Sequence, residues 1–239
     1  MNIALIFAGG TGQRMNSKTR PKQFLELHGK PIIIYTLENF DQHPDIDAIV
    51  VVCLKGWIDY LKKLLAKFAI TKVTHIVEGG ETGQNSIFNG LKVIHDNYPE
   101  DSVVLIHDGV RPLIDQQLIT DNIECVLKHG SAISVSPAIE TITLKSENGK
   151  VGEIIERSKC ELAKAPQSFF LKDIYAAHLK AQADNYTEAI DSATLMRHYG
   201  HELYTVQSSP ENIKITTPSD FYTFRAMLDA RENSQIFGL

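Results

Sequence analysis

Cysteine is scarce in this chain. Three residues, Cys53, Cys125 and Cys160, stand far apart among 239, and no two form a CxxC pair, so neither a disulfide framework nor a zinc site is indicated. A reducing, cytoplasmic compartment is the expectation. No apolar run approaches the ~20 residues of a membrane helix, and the run Ile3 to Ala8 meets glycine too soon for a signal peptide. Positive charge is not in excess either: 24 Lys and Arg face 29 Asp and Glu, a formal charge of −5, which argues against a general nucleic-acid binder. Charged residues make up 22% and hydrophobic ones 43%, which excludes extensive disorder. The length suits one domain, spanning 1–239.

Against this acidic background the N-terminus stands out. The chain opens MNIALIFAGGTGQRM and continues into KTRPKQF, so a short apolar strand runs into Gly9, Gly10, Thr11 and Gly12, followed by Arg14, Lys18, Arg20 and Lys22. Glycines let backbone N–H groups approach an anion and the cations neutralise it, which suits a polyphosphate. Two nucleotide motifs are nonetheless missing. Met15 stands where a dinucleotide fingerprint has its third glycine, and no Lys-Ser/Thr pair closes the run as a P-loop requires. A plain strand-to-helix turn is the alternative for the glycines, and solvated loop charge is the simpler reading of Lys18 and Arg20.

Short runs rich in Val and Ile alternate with segments of helical period, which predicts an α/β fold with a mostly parallel sheet and helices on both faces. Strands are expected at Asn2 to Ala8, Ala48 to Leu54, Lys72 to Val77, Val103 to His107 and Ala132 to Val135, with helices at 32–40, 57–68, 84–96 and 117–129. Beyond Pro137 the pattern alternates around Asn148-Gly149, the mark of a β-hairpin, so an arm is predicted at about 140–160. Helices near 172–183 and 192–199, small strands near 203–206 and 213–215, and a helix after Pro218 complete the expectation.

Within this frame, LIHDGVRP carries Asp108 and Arg111 to the carboxyl edge of the sheet, where ligands bind in open α/β folds. A carboxylate beside phosphate-binding cations suits a Mg²⁺ ligand; an N-cap or loop carboxylate is the competing reading. His107 reads as structural. EGGETGQNSIFNGL supplies a second glycine turn, where backbone groups near Gly80 and the Ser86 hydroxyl can meet a pyrimidine edge, or Ser86 can merely cap or pack its helix. Arg14 and Lys22 suit the charge of a nucleotidyl-transfer transition state and its pyrophosphate leaving group.

Together FAGGTGQRM, RPKQF, EGGETGQNSIFNGL, IHDGVRP, APQSF and ENIKITTP resemble the cytidylyltransferases that activate polyol phosphates with CTP, in family order and over essentially the whole chain. The resemblance implies a Rossmann-like nucleotidyltransferase fold with a protruding dimerisation hairpin. Phe7, Ala8, Gly9, Gly10, Thr11 and Gly12 match the nucleotide loop; Gly80, Glu81 and Ser86 fall in the segment that reads cytosine and ribose. Asp108 matches the metal and phosphate carboxylate, Arg14 and Lys22 the transition-state cations, Arg157 and Lys214 the cations on the acceptor phosphate, with Arg111 and Thr141 as further substrate contacts. The implied partners are CTP, a small polyol phosphate and a second subunit, the implied cofactor Mg²⁺. Many members carry Arg at Gly83 and Thr at Ala165. Val110 and the stretch KQFLELHGKPIIIYTLENF look closer to the ribitol 5-phosphate branch than to the methylerythritol phosphate branch. A nicotinamide oxidoreductase fails at the fingerprint, and a non-enzymatic nucleotide-binding module has no need of cations aimed at a transition state.

Overall fold

A computed structural model describes residues 1–10 and 20–237 of the chain. The expected strands β1 (Asn2–Ala8), β4 (Ala48–Cys53), β5 (Val73–Glu78), β6 (Val103–Asp108) and β7 (Ser131–Pro137) are present. So are the helices α1 (Ile32–Asp41), α2 (Ile58–Lys67), α3 (Gly83–Asn97) and α4 (Gln116–His129). A two-residue pair, β2 (Glu26–Leu27) with β3 (Lys30–Pro31), precedes α1. The arm is the hairpin β8 (Ile142–Lys145) and β9 (Val151–Ile155); β10 (Glu161–Phe170), α5 (Leu171–Ala183), α6 (Ser192–His198), β11 (Thr205–Gln207) and α7 (Pro218–Phe237) follow.

The main sheet has seven strands in the order β11-β7-β10-β6-β1-β4-β5. All neighbouring pairs run parallel except those of β10, which is antiparallel to both β6 and β7. Alternation along the strands sorts side chains into two layers, because successive Cβ atoms point to opposite faces. Ala4, Ile6, Val51 and Leu105 pack with α1, α2 and α4 through Leu37, Phe40, Leu61, Leu64, Ile119 and Val126. Ile3, Leu5, Val50, Val104 and Phe169 pack on the opposite face with α3, α5 and α6 through Ile87, Leu91, Ile174 and Leu195. The central strands are buried on both faces, which is why they read as unbroken apolar runs rather than alternating ones.

Two expectations are corrected. β10 was not anticipated: its first half is exposed, only Ala165 to Phe169 are buried, and Pro166 interrupts the strand signal. Residues 213–215 form no strand. Ile215 is wholly buried in a cluster with Val110, Leu113 and Phe224, so the apolar alternation there serves packing, and its N–H donates to the Val110 carbonyl at 2.9 Å. The hairpin is as expected, with Asn148 (φ 63°) and Gly149 (φ 71°) at its tip. Both lie in the left-handed region that Asn and Gly tolerate best.

Candidate active site

The carboxyl ends of β1 and β6 lie side by side, and their register pairs Phe7 with Asp108. Asp108 is only 5% exposed yet carries two cations: Arg111 Nε lies 2.8 Å from Oδ2 and Lys214 Nζ 2.5 Å from Oδ1. Burial alone would push this carboxyl up, but Lys214 and Arg111 outweigh it and hold the pKa at about 2. Asp108 is not the cap of the following helix. Asp115 does that work, its Oδ1 accepting from the Leu118 N–H at 2.8 Å. His107 points away, its Nε2 at 3.2 Å from the Arg111 carbonyl and its ring 5.2 Å from that of Phe40, so it is structural, as expected.

Lys214 reaches this point because its loop is fastened from several sides. Lys164 Nζ donates to the carbonyls of Ser209, Pro210 and Asn212 at 3.4, 3.1 and 3.3 Å. Arg111 Nη1 donates to the Asn212 carbonyl at 2.8 Å, and Asn212 Nδ2 to the Ala165 carbonyl at 2.7 Å. Lys22 Nζ donates to the carbonyl of Ile215 at 3.0 Å. Lys214 and Arg111 are thereby brought together on Asp108, and Lys22 is tied to the same loop one residue beyond Lys214. Lys164 and Asn212 were missed, since nothing in their local sequence marks a residue whose work is to hold a distant loop.

The glycine turns meet beside this cluster. A Cβ on Gly9 would lie 3.2 Å from Ser86 Oγ and 3.5 Å from Gly79 Cα, so the two loops pack closely, and one on Gly80 would fall 2.7 Å from Asn85 Cβ, so within the second turn only glycine fits without a shift. Ser86 Oγ accepts from the Gly80 N–H at 3.0 Å. The hydroxyl therefore fastens the turn, while Thr82 caps α3 by accepting from the Asn85 N–H at 3.0 Å. The buried Gln23 donates from Nε2 to the Ala8 carbonyl at 2.6 Å and the Gly10 carbonyl at 3.3 Å, a second latch that the sequence does not announce. Glu81 is exposed beside this turn. Thr11, Gly12, Arg14 and Lys18 lie outside the described residues.

From Asp108 and Lys214 a cavity of about 350 Å³ runs between α3, α5, α6 and β10. Phe7, Arg111, Lys164 and Ala165 line it with them, as do Gln84, His178 and Ser192. The β10–β7 pairing shifts register between Ala163 and Gln167, and Lys164 and Ala165 inside that shift line the cavity. Gln167 ties β10 to the start of α6, donating to Asp191 Oδ2 at 2.9 Å and accepting from the Ala193 N–H at 2.8 Å. Arg157 and Thr141 do not line this cavity. Both are exposed on the arm, where Arg157 donates to the Ile139 carbonyl at 2.9 Å.

Among the described residues no three His, Cys, Asp or Glu side chains cluster as a protein-built metal centre. Asp108 by itself fits a Mg²⁺ ion held mainly by substrate phosphates, the usual arrangement with one or two carboxylates. It is ionised, it faces the cavity, and its two ion pairs occupy only part of the roughly four acceptor positions of a carboxylate.

The profile of the 2-C-methyl-D-erythritol 4-phosphate cytidylyltransferase family matches residues 2–230. The chain belongs to this family. Over 238 residues, and the full length of both proteins, it is 57% identical to a ribitol-5-phosphate cytidylyltransferase of Vibrio parahaemolyticus. It is 52% identical over 239 residues, again the whole of both chains, to the protein of that name from Streptococcus agalactiae. A crystal structure of the 4-diphosphocytidyl-2C-methyl-D-erythritol synthase of Anaerococcus prevotii superposes with a TM-score of 0.82 at 29% identity, covering 95% of each chain. The superposition over 95% of the chain accords with the α/β fold described above. The family relationship makes the chain a nucleotidyltransferase, and the oxidoreductase and non-enzymatic readings fall away.

Proposed function

We propose that the protein transfers CMP from CTP to D-ribitol 5-phosphate, giving CDP-ribitol and pyrophosphate. The observation that carries the reading is the Asp108–Lys214–Arg111 cluster at the mouth of the cavity, one step across the sheet from the Gly9 turn. An oxygen of the acceptor phosphate attacks the α-phosphorus of CTP in line; that P–O bond forms as the bond to the bridging oxygen breaks, and pyrophosphate departs. The acceptor phosphate is already ionised near neutral pH, so no general base is needed. Catalysis then rests on positioning and on charge.

In this reading Arg14 and Lys22 face the triphosphate, Lys214 and Arg111 hold the acceptor phosphate, and the Gly80–Ser86 turn borders the cytosine. Mg²⁺, when bound with the triphosphate, neutralises its oxygens, and Asp108 is the protein group that would hold it. Arg157 and Thr141 serve a neighbouring subunit's site in a homodimer formed through the arm. We place the reaction in the cytoplasm, where the free thiols Cys53, Cys125 and Cys160 persist; no helix among the described residues is long and apolar enough to cross a membrane.

Methylerythritol phosphate is the second acceptor to weigh, because the family profile and the superposed structure carry its name. Two features favour ribitol phosphate: the names of the relatives at 57% and 52% identity, and the methyl group of Ala165 where many members offer a hydroxyl. The test is pyrophosphate release with CTP and Mg²⁺ across a panel of alditol phosphates. D-Ribitol 5-phosphate is expected to exceed methylerythritol phosphate in kcat/KM by about tenfold or more, a ratio that a few polar contacts can supply. The reverse order would establish the second acceptor, and no release with either would sink both.

A further inference from the structure

The lining of the cavity holds polar atoms that the protein leaves without partners. Gln84 Oε1, both ring nitrogens of His178 and Ser192 Oγ are buried and make no hydrogen bond within the protein, and the three residues come from three helices that line one cavity. His178 is 1% exposed, Ser192 3% and Gln84 7%. Buried polar groups are nearly always paired, so three orphaned residues in one lining point to a partner from outside the chain.

The kind of partner follows from what each atom requires. Gln84 spends its Nε2 on the Tyr186 carbonyl at 2.8 Å, which leaves an acceptor that only a donor can satisfy. Burial pushes His178 down to about 4, so near neutral pH its ring is uncharged, with one N–H to give and one nitrogen to accept. Stacking on Phe88, with centroids 5.7 Å apart and planes 7° from parallel, holds that ring in place. Ser192 can do either. A carboxylate or fully ionised phosphate cannot donate to Gln84, whereas a hydroxyl donates and accepts at once. Lys214, Arg111 and Lys164, the groups suited to an anion, line the same cavity.

We infer that Gln84, His178 and Ser192 bind the hydroxyl groups of the acceptor's carbon chain, with its phosphate at Lys214, and so set the preference for a long polyhydroxylated acceptor. The inference rests on the proposed function. Gln84 belongs to the turn that borders the cytosine, whereas His178 and Ser192 stand on α5 and α6, so those two are the side chains whose loss should leave the nucleotide unaffected.

The test compares Ser192→Ala and His178→Phe with the wild-type enzyme, using CTP with D-ribitol 5-phosphate or the three-carbon sn-glycerol 3-phosphate. Each variant is expected to raise KM for ribitol 5-phosphate and to shrink its kcat/KM advantage over glycerol 3-phosphate by about tenfold, since a site that hydrogen-bonds a hydroxyl rejects the analogue lacking it. KM for CTP should stay within about twofold. Thermal stability should not fall, because an unpartnered polar group is being removed. An unchanged acceptor ratio in Ser192→Ala, the smaller change and the one that decides should His178→Phe misfold, would overturn the inference. A matching rise in KM for CTP would also overturn it by assigning these groups to the nucleotide. Turnover of ribitol 5-phosphate by the wild type with unaltered variants refutes the inference alone; no turnover by the wild type removes the proposed function, and the inference with it.

Discussion

Asp108 shows how one residue can be over-determined and still be available. Its two cations differ in burial: the side chain of Arg111 is 11% exposed and that of Lys214 40%. Removing Lys214 leaves Asp108 paired with Arg111 and hydrated where the ammonium stood, so Lys214→Ala should cost little stability. Its cost falls on turnover, which should drop about 10²- to 10³-fold if Lys214 stabilises charge that develops in the reaction. Asp108→Ala is the opposite case. It strands a mostly buried guanidinium and should destabilise the fold by about 3 kcal/mol, as broken buried pairs do. Thermal melts and steady-state kinetics on both variants check the contrast; Lys214→Ala with turnover within threefold of wild type would remove that residue from the chemistry.

Among the elements, those with a strong period were legible and those defined by distant partners were not. The double layer of Val and Ile in β1, β4 and β6 and the helical stripes of α1 to α4 announce themselves, because burial on a sheet or helix face imposes its own repeat. β10 hid behind Pro166 and a half-exposed register, and the loop around Lys214 presented the alternation of a strand while being held by side chains of Lys164, Arg111 and Lys22. The motif residues Asp108, Arg111, Lys22 and Lys214 could be named from sequence. Gln23, Lys164, Asn212 and the neutral trio of Gln84, His178 and Ser192 could not: a lone polar residue in α3, α5 or at the start of α6 looks like any other polar point of a helix, and Gln23, Lys164 and Asn212 act on partners distant in sequence. The arm was visible, and its surface suggests its purpose: Leu144, Val151 and Ile154 are 50, 69 and 65% exposed on a two-stranded ribbon, which is marginally stable alone. Val151→Glu with Ile154→Glu should therefore shift the proposed dimer to monomer in sedimentation. If Arg157 acts across that interface, mixing Arg157→Ala with Lys22→Ala subunits should restore about half of wild-type turnover per mixed dimer, because one site then holds both defects and the other none. An Arg157 acting in its own subunit would give no rescue.

For the whole molecule, the buried histidines predict how the fold responds to acid. Burial holds both His107 and His178 at about 4, below the ordinary 6.5, and His43 is shifted in the same direction, again chiefly by burial. A histidine whose pKa is lower folded than unfolded binds protons more readily in the unfolded chain. Its neutral burial therefore costs nothing above about pH 6.5, and stability is lost as the pH falls from there towards 4. From 6.5 to about 4 the shift corresponds to about 3 kcal/mol for each of His107 and His178. Asp108, held at about 2 by Lys214 and Arg111 against the opposing effect of burial, adds a later loss between its ordinary 3.8 and 2. Melting temperature measured against pH should thus begin to fall near pH 6.5, well before the carboxylates titrate, and steepen again below pH 4. His178→Phe removes one of the titrating groups and keeps the stacking partner of Phe88, so it should flatten the first limb without altering the second. A variant whose melting temperature tracks the wild type at every pH would show that His178 is protonated in the folded protein as readily as in the unfolded chain.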